Sequence, residues 1–272
     1  MPSAKTVLIT GSSIGIGRAT AKLFQQKGWQ VVATMRTPAA APDLAALDNV
    51  LVTPLDVTDE ASIQSAIVAA IDRFGSIDVL INNAGYGAYG ILEATSVESM
   101  RHQFETNVIG LLATTRAVLP GFRKQQSGVI VNVSSIGGRL ALPFSSLYSG
   151  SKFAVEGISE ALAYELREIN VRVKLVEPGI IHTNFANAMQ FNNDPALLEY
   201  QPLVAKLWEV AGALREKGAQ ASLAAEVIYT AATDGTSQLR YTAGEDARHL
   251  ADLRNTHDDK AFFQQMHALF GQ

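Results

Sequence analysis

Residues 135–152 hold three side chains whose types and spacing suit proton transfer. Tyr148 and Lys152 are four residues apart, which places them on one face of a helix about one turn from each other. A free phenol has a pKa of about 10, but a nearby ammonium favours the phenolate and lowers that pKa. The hydroxyl of Ser135, thirteen residues before the tyrosine, can hold a carbonyl or alkoxide oxygen. Taken alone, a Tyr-x-x-x-Lys pair is more often an ordinary exposed helix pair.

A glycine-rich stretch near the N-terminus supports the chemical reading of that pair. TGSSIGIG follows a short apolar, β-branched run and precedes a segment whose apolar residues recur at helical spacing. Glycines between a strand and a helix allow a tight turn and the close approach of a pyrophosphate, which the helix N-terminus binds. The pattern predicts a dinucleotide site formed by Gly11, Ser13, Ile14, Gly15, Ile16 and Gly17.

The end of the second predicted strand indicates which dinucleotide binds. Sites that select NAD usually place an acid about 20 residues beyond the glycines, where it bonds the ribose 2′-hydroxyl. Here Arg36 occupies that place, and no Asp or Glu occurs from Gly17 until Asp43. A guanidinium suits a 2′-phosphate, because it makes charge-assisted and bidentate hydrogen bonds. We therefore predict NADP(H) as the cofactor, with a solvated loop arginine as the alternative reading of Arg36.

The ends of the next two predicted strands carry further candidate cofactor ligands. Asp56 and Val57 close the third strand, and Asn83, Ala84 and Gly85 close the fourth. Ligands of parallel α/β sheets bind at the carboxyl ends of the strands. We expect the carboxylate of Asp56 to accept a hydrogen bond from the adenine amino group.

Strand and helix patterns alternate along most of the chain. This alternation predicts an α/β fold of the Rossmann-like, doubly wound type, with a seven-stranded, mostly parallel sheet and helices on both faces. The predicted strands are residues 5–10, 29–35, 50–55, 77–82, 129–133, 171–176 and 238–243. The predicted helices are the one that ends at Gly28 and residues 59–74, 97–122, 146–169 and 224–232.

Residues 183–222 interrupt this alternation. The segment is long for a connection, has no strand pattern, and mixes large apolar residues such as Phe185, Phe191 and Trp208 with polar ones. Such connections are usually lids or binding loops, which predicts a substrate-binding insert, although helical spacing from Leu203 to Val210 also fits plain core helices. We expect one domain over residues 1–272, ending in a polar, helical tail at 246–272.

Composition excludes several classes of function. The net charge of −4 argues against nucleic acid as the main partner, and the absence of cysteine excludes disulfides, thiolate catalysis and Cys-based zinc sites. A strand pattern starts within a few residues of the N-terminus, which leaves no room for a signal peptide. No apolar run approaches the roughly 20 residues that span a bilayer. We therefore expect a soluble, cytoplasmic protein without a membrane span or a metal site.

Together these motifs resemble the short-chain dehydrogenase/reductase family over roughly residues 5–245. The glycines are spaced TGxxxGxG, NNAG ends the fourth strand, Asn-Val lies in the next long helix, Ser precedes Tyr-x-x-x-Lys, and Pro-Gly follows the sixth strand. Ser134 neighbours Ser135, but the thirteen-residue spacing to Tyr148 favours Ser135. The resemblance implies a catalytic tetrad of Asn107, Ser135, Tyr148 and Lys152. It also implies that Tyr148, Lys152, Pro178, Gly179 and Thr183 contact the cofactor.

The resemblance further implies an NADP-preferring oxidoreductase of the carbonyl or hydroxysteroid type. In similar enzymes, Ser135 and Tyr148 hold a carbonyl that receives hydride from the nicotinamide, Tyr148 donates the proton, and Lys152 stabilises the phenolate and bonds the ribose. Asn107 holds a water that links Lys152 to solvent; alternatively, it bonds only to helix backbone. We expect a small hydrophobic ketone, aldehyde or secondary alcohol as substrate.

Two alternative functions remain open at this point. One is a binding protein that senses NADP(H) without chemistry, which an intact Ser-Tyr-Lys set argues against. The other is a 3-oxoacyl reductase of the same family, against which the roughly 30 residues after Gly244 count. Relatives commonly pair through two long helices, here residues 97–122 and 146–169, so a homodimer or homotetramer is expected.

Overall fold

The computed structural model describes residues 4–183 and 189–271. In chain order the strands are β1 (Thr6–Ile9), β2 (Gln30–Met35), β3 (Val50–Pro54), β4 (Val79–Asn82), β5 (Gly87–Gly90), β6 (Gly128–Val133), β7 (Val171–Pro178), β8 (Ile181–His182), β9 (Met189–Asn192), β10 (Ala219–Gln220) and β11 (Arg240–Ala243). The α-helices are α1 (Gly15–Gln26), α2 (Pro42–Ala45), α3 (Glu60–Phe74), α4 (Val97–Phe104), α5 (Gly110–Gln125), α6 (Ser146–Glu165), α7 (Gln201–Glu216), α8 (Ala221–Thr233), α9 (Glu245–Thr256) and α10 (Asp259–Leu269).

The central sheet has seven strands in the order β11-β7-β6-β4-β1-β2-β3, and every neighbouring pair is parallel. The predicted Rossmann-like sheet is thus confirmed. Consecutive residues of β1 point to opposite faces, so Val7 and Ile9 join one core and Leu8 joins the other. Phe24 of α1 lies in the first core and Phe122 of α5 in the second. A sheet buried on both faces explains why its strands are continuous apolar runs.

The long helix predicted at residues 97–122 is interrupted. α4 and α5 are separated by a π-helical turn at Glu105–Ile109, and α5 continues to Gln125. The side chain of Asn107, inside this turn, is hydrogen-bonded to Tyr86 and Ser151. Such single turns insert an extra residue and often occur at functional sites. The sequence prediction missed the turn because its hydrogen-bond partners lie on other segments.

The prediction that residues 183–222 contain no strand was wrong. β9 pairs in parallel with β5, a strand that was also not predicted, and β10 pairs with β8. The rest of the segment holds α7, which includes the helical spacing that begins at Leu203. Phe185, part of the predicted insert, lies outside the described residues.

The predicted helical tail is present as α9 and α10. Phe262, Met266 and Phe270 pack with Leu140 and Val210, so the tail and α7 share a third apolar core. This cluster joins the C-terminal tail to α7, the helix that follows β9. Among the helices of the described residues, none is long and apolar enough to cross a membrane.

Candidate active site

A cavity of about 600 Å³ lies at the carboxyl ends of the parallel strands. This volume is typical of cavities that hold small molecules and cofactors. All the predicted site residues except Gly17 line it: Gly11, Ser13, Ile14, Gly15, Ile16, Arg36, Asp56, Val57, Asn83, Ala84, Gly85, Asn107, Ser135, Tyr148, Lys152, Pro178, Gly179 and Thr183. The fold therefore brings the two groups of candidates to one place, although their individual roles stay predictions.

The glycine stretch forms a tight loop at one end of the cavity. Gly11 and Gly15 have φ angles of +70° and +58°, which favour glycine. Gly17 lies beneath the loop, where a Cβ atom would overlap the carbonyl oxygen of Gly11 and the amide of Asn83. Ile14, the N-cap of α1, has no polar side chain to bond the first amides of that helix, so these amides can bind an anion.

Asn83 joins the glycine loop to the end of β4. Its amide nitrogen Nδ2 donates hydrogen bonds to the carbonyl oxygens of Thr10 and Gly11, at 2.9 and 3.0 Å. The backbone N–H groups of Asn83 and Ala84 donate in return to the Thr10 hydroxyl. These bonds hold the loop shape that the predicted pyrophosphate site needs before any ligand arrives.

Arg36 and Asp56 lie at the far end of the cavity. Arg36 follows β2 and is exposed. Burial raises the pKa of Asp56, but hydrogen bonds from the Thr58 backbone and hydroxyl and the positive charge of Arg36 lower it below its usual value overall. An ionised carboxylate here can accept hydrogen bonds, while the guanidinium of Arg36 provides the positive charge that a phosphate would need.

Ser135 and Tyr148 meet near the middle of the cavity. Ser135 follows β6, and its hydroxyl oxygen accepts a hydrogen bond from the Gly137 N–H at 3.0 Å. Burial raises the pKa of Tyr148, whereas hydrogen bonds to the Ser135 and Tyr89 side chains lower it, and the net direction is upward. Ser134 Oγ is buried and points towards Gly138, so Ser135 is the serine bonded to Tyr148.

Lys152 lies one turn beyond Tyr148 on α6, as the spacing predicted. Its Nζ donates to the Val133 carbonyl oxygen at 2.8 Å and lies 5.9 Å from the centroid of the Tyr148 ring. Burial lowers the pKa of Lys152 to about 8, against the opposing charge of Glu156. The expectation that Lys152 brings the Tyr148 pKa below its usual value is therefore wrong for this structure, because burial of the phenol outweighs the effect of its neighbours.

Asn107 is buried beside the two catalytic candidates. Its Oδ1 accepts from the Tyr86 N–H at 2.8 Å, and its Nδ2 donates to the Tyr86 carbonyl at 2.9 Å and the Ser151 hydroxyl at 3.1 Å. These bonds fix the chain that enters β5 against α6. The alternative of an asparagine bonded only to its own helix backbone does not fit this arrangement.

Pro178, Gly179 and Thr183 close the cavity opposite the glycine loop. A Cβ atom on Gly15 would touch the Thr183 side chain at 3.2 Å, so these two segments face each other closely. A Cβ atom on Gly179 would overlap the carboxylate of Asp246, which accepts from the Ile180 N–H at 2.6 Å. The tail helix α9 thus holds the wall that follows β7.

Several cavity residues were not found from the sequence. Tyr86, His102 and Gln190 line it, and the Tyr86 hydroxyl bonds to Gln190 Oε1. The ring of Tyr89 stacks on the ring of Tyr148, with centroids 5.0 Å apart. The alternation of glycine and tyrosine just after NNAG was the available signal.

Aromatic side chains extend the arrangement away from the cofactor side. Phe191 of β9 contacts Trp208 of α7 with ring centroids 4.8 Å apart, and Phe144 lies 6.3 Å from Phe191. Trp208 is half exposed. Met189 and Gln190, which precede Phe191 on β9, line the cavity itself. An aromatic cluster built from separated segments of the chain therefore lies next to the cavity residues of β9.

Comparison with known proteins agrees with this geometry. A sequence model described as short chain dehydrogenase matches residues 5–194. An uncharacterized oxidoreductase of Schizosaccharomyces pombe is 44% identical over 228 residues, covering 84% of this chain and 96% of that protein. A 3-ketodihydrosphingosine reductase of Bacteroides thetaiotaomicron is 42% identical over 181 residues, covering 66% of this chain and 65% of that protein.

Solved structures show the same fold. A short-chain dehydrogenase from Streptomyces avermitilis superposes with a TM-score of 0.82 and 36% identity over 92% of both chains. One from Burkholderia phymatum in complex with NAD gives 0.80 and 28% over 93% of both, and ElxO with NADP bound gives 0.75 and 26% over 90% of this chain and 99% of ElxO. The chain belongs to the short chain dehydrogenase family of oxidoreductases.

Proposed function

We propose that this protein is an NADP(H)-dependent oxidoreductase that interconverts a hydrophobic ketone or aldehyde and its alcohol, with Tyr148 as the acid–base group. The observation that carries the proposal is the placement of Ser135, Tyr148 and Lys152 in the same cavity as the glycine loop. A protein that only senses a nucleotide has no need for a hydroxyl pair and a lysine beside the cofactor site. The NAD- and NADP-bound relatives support a nicotinamide cofactor without deciding between the two.

The cavity suits a dinucleotide. The preformed loop around Gly11, the bare N-terminus of α1 and the lack of space for a Cβ at Gly17 fit a pyrophosphate. Arg36 would hold the 2′-phosphate, and Thr183 and Gly179 would hold the carboxamide end. When bound, NADP(H) supplies or accepts the hydride.

The protein residues would position the substrate and move the proton. The hydroxyls of Ser135 and Tyr148 donate hydrogen bonds to the carbonyl oxygen, and Tyr148 releases its proton to that oxygen as the alkoxide forms. Since the pKa of Tyr148 is raised, the phenol is protonated and ready to donate at neutral pH. Alcohol oxidation needs the phenolate, so its rate should increase as the pH rises. A positioned acid of this kind contributes roughly 10²–10⁴-fold to the rate.

The aromatic side chains around Phe191 and Trp208 support a hydrophobic substrate. The 3-ketodihydrosphingosine reductase among the relatives acts on a ketone, by its name, which is consistent with carbonyl chemistry here. A panel of 2-decanone, acetophenone and a 3-ketosteroid, followed by NADPH absorbance, would define the best substrate.

The test of the proposed function is Tyr148→Phe, which removes only the hydroxyl. Turnover of the best ketone should fall by roughly 10²–10⁴-fold while the dissociation constant of NADPH, measured by fluorescence, stays nearly unchanged. Lys152→Ala should weaken both turnover and NADPH binding. A Tyr148→Phe variant with most of its activity would show that the helix pair is structural.

We also propose that the protein assembles as a homodimer or homotetramer through α4, α5 and α6. Phe104, Ile109 and Phe153 on or between these helices are about 40–50% exposed, which leaves large apolar side chains open to solvent in one chain. Light scattering should give a mass of at least twice 29.1 kDa at micromolar concentration. A mass equal to one chain would contradict the proposal.

A further inference from the structure

Tyr89 is placed against the reaction centre by contacts from several segments. Its ring stacks on that of Tyr148 with an interplanar angle of 27°, and a side-chain hydrogen bond joins the two residues. Ser135 is bonded to the same tyrosine. The Tyr148 side chain therefore has a hydroxyl-bearing neighbour from the β5 segment as well as the serine from the end of β6.

The backbone around Tyr89 is held firmly. Asn192 Nδ2 donates to the Tyr89 carbonyl at 3.2 Å, and the next residue, Gly90, donates its N–H to the Phe144 carbonyl at 2.8 Å. Gly90 has a φ of +122°, and a Cβ there would overlap the backbone of Asn192. Before Tyr89, the Ala88 N–H donates to Gln103 Oε1 at 2.5 Å. The position of Tyr89 is thus fixed on both sides.

The direction of the hydrogen bond is decided once Tyr148 is ionised, because a phenolate oxygen has no proton and can only accept. Burial, the charge of Tyr148 and the bond between them raise the pKa of Tyr89 well above the usual value for a phenol. Opposite the Tyr148 phenolate, the Tyr89 hydroxyl is therefore the donor, and this bond lowers the pKa of Tyr148. A hydroxyl that donates to a phenolate stabilises the charged form.

We propose that Tyr89 is a positioning residue of this site, whose hydroxyl donates to the Tyr148 oxygen and whose ring holds the Tyr148 ring by stacking. The inference rests on the proposed role of Tyr148 as acid–base group and adds a second hydroxyl that stabilises its phenolate. Tyr89 would act mainly in alcohol oxidation, in which Tyr148 must accept a proton.

Other titratable groups near this pair come from three segments. Lys152 lies on the same helix as Tyr148, Glu156 acts on Lys152 from the next turn, and Tyr86 precedes Tyr89 on the β5 segment. His102 of α4 packs on Tyr86 with ring centroids 4.7 Å apart. None of these residues is altered in the test below, so their contribution is the same in each pair of proteins compared.

The test measures ionisation of Tyr148 directly, in the full chain saturated with NADP⁺. The ultraviolet absorbance of phenolate is recorded against pH for the wild type and Tyr148→Phe, and for Tyr89→Phe and the double variant Tyr89→Phe/Tyr148→Phe. In the Tyr89→Phe background the difference contains Tyr148 alone. In the wild-type background it also contains the response of Tyr89, whose pKa lies well above the usual value, so the first phenolate to appear with rising pH is assigned to Tyr148. Loss of a hydrogen bond to a charged group should raise the midpoint by about one pH unit in the Tyr89→Phe background. The pH at which the rate of 1-phenylethanol oxidation is half-maximal should increase by the same amount.

The matched control is Tyr164→Phe, which removes a hydroxyl from the same helix. Tyr164 is 81% exposed, so this change should not alter the midpoint of Tyr148 ionisation. An unchanged midpoint in the Tyr89→Phe background would overturn the role of Tyr89. Retained turnover in Tyr148→Phe would instead overturn the proposed function while leaving the midpoint shift in place. The two failures are therefore distinguishable.

Discussion

The two sides of the cavity are built in different ways. The cofactor side consists of backbone: a glycine loop, the first amides of α1, and the ends of β1 and β4 joined by Asn83. The opposite side, which we propose takes the substrate, is lined by side chains from separate segments, such as Tyr86, Met189 and Gln190. Tyr89, Phe191 and Trp208 form aromatic contacts next to it. Backbone geometry accepts few substitutions, whereas a wall of side chains can change one residue at a time.

This difference explains how one fold serves many substrates. The nucleotide end must keep the same hydrogen-bond donors in the same positions, because phosphate recognition depends on amide geometry. The end proposed to take the substrate needs only a suitable shape and apolar surface around Ser135 and Tyr148. Substitutions should therefore affect cofactor affinity when made on one side and substrate discrimination when made on the other.

The largest effect on binding is expected for Gly17→Ala. The added Cβ would overlap the Gly11 carbonyl and Asn83, which deforms the loop and should weaken NADPH binding by about 100-fold. Titration calorimetry checks the dissociation constant. Gly212→Ala, in α7 on the substrate side, is the control; a Cβ there meets no atom within 4 Å, so NADPH affinity should be unchanged and stability slightly higher. Equal NADPH affinity for both variants would contradict a backbone-built cofactor side.

A smaller effect is expected for Arg36→Asp, which changes a side chain on the cofactor side. The variant loses the partner proposed for the 2′-phosphate and gains a repelling charge, so NADPH affinity should fall by about 10–100-fold and NADH affinity should not fall. Fluorescence titration with both cofactors measures this. Arg73→Asp, the same charge change on the exposed end of α3, should leave both constants as they are. Equal affinity of the wild type for the two cofactors would refute the NADP preference.

Trp208→Ala should produce a moderate effect confined to the substrate side. Its half-exposed ring packs on Phe191 and, in our proposal, offers its open part to a bulky substrate. Losing one such aromatic contact with the substrate costs about 1 kcal/mol, which corresponds to roughly a fivefold higher KM for a bulky ketone. The dissociation constant of NADPH and the KM for a small ketone such as acetone should not change. An equal loss for small and bulky ketones would mean that Trp208 does not line the substrate region.

The smallest effect is expected in the pH dependence of NADP⁺ affinity, which we attribute to Lys152 between the two sides of the cavity. The pKa of Lys152 is lowered to about 8, so its ammonium is charged below that pH and becomes neutral above it. If the ammonium bonds the anionic cofactor, NADP⁺ affinity should be full below pH 8 and decline about threefold as the pH rises through it. Titrations from pH 6.5 to 9 check this, with Lys152→Met expected to show no such decline. A flat profile in the wild type would remove Lys152 from cofactor binding.

The cofactor side was largely predictable because its signals are local. The strand, the glycine stretch and the helix near Gly11 are contiguous in the sequence. Arg36 was recognisable as a candidate because it lies about 20 residues beyond the glycines, where sites that select NAD carry an acid. Spacing within one helix likewise placed Tyr148 and Lys152 on the same face. In each case neighbouring residues decide the geometry, so a pattern in sequence becomes a pattern in space.

The substrate side could not be predicted in the same way. The four residues of β5 have no apolar alternation, and their partner strand β9 lies far along the chain, so neither was evident before the two were seen paired. The π-helical turn at Asn107 depends on bonds to Tyr86 and Ser151, which belong to other segments. Long-range pairing has no short-range signature.

By itself, the sequence determined the alternation of strands and helices, the glycine loop and the set of Ser135, Tyr148 and Lys152 that meets at the sheet edge. Only the tertiary structure decided the electrostatic surroundings of those residues. Burial raises the pKa of Tyr148 and lowers that of Lys152, opposite to the direction predicted for Tyr148. It also decided that Tyr89 stands against Tyr148, because burial and contacts between distant segments exist only after the chain has folded.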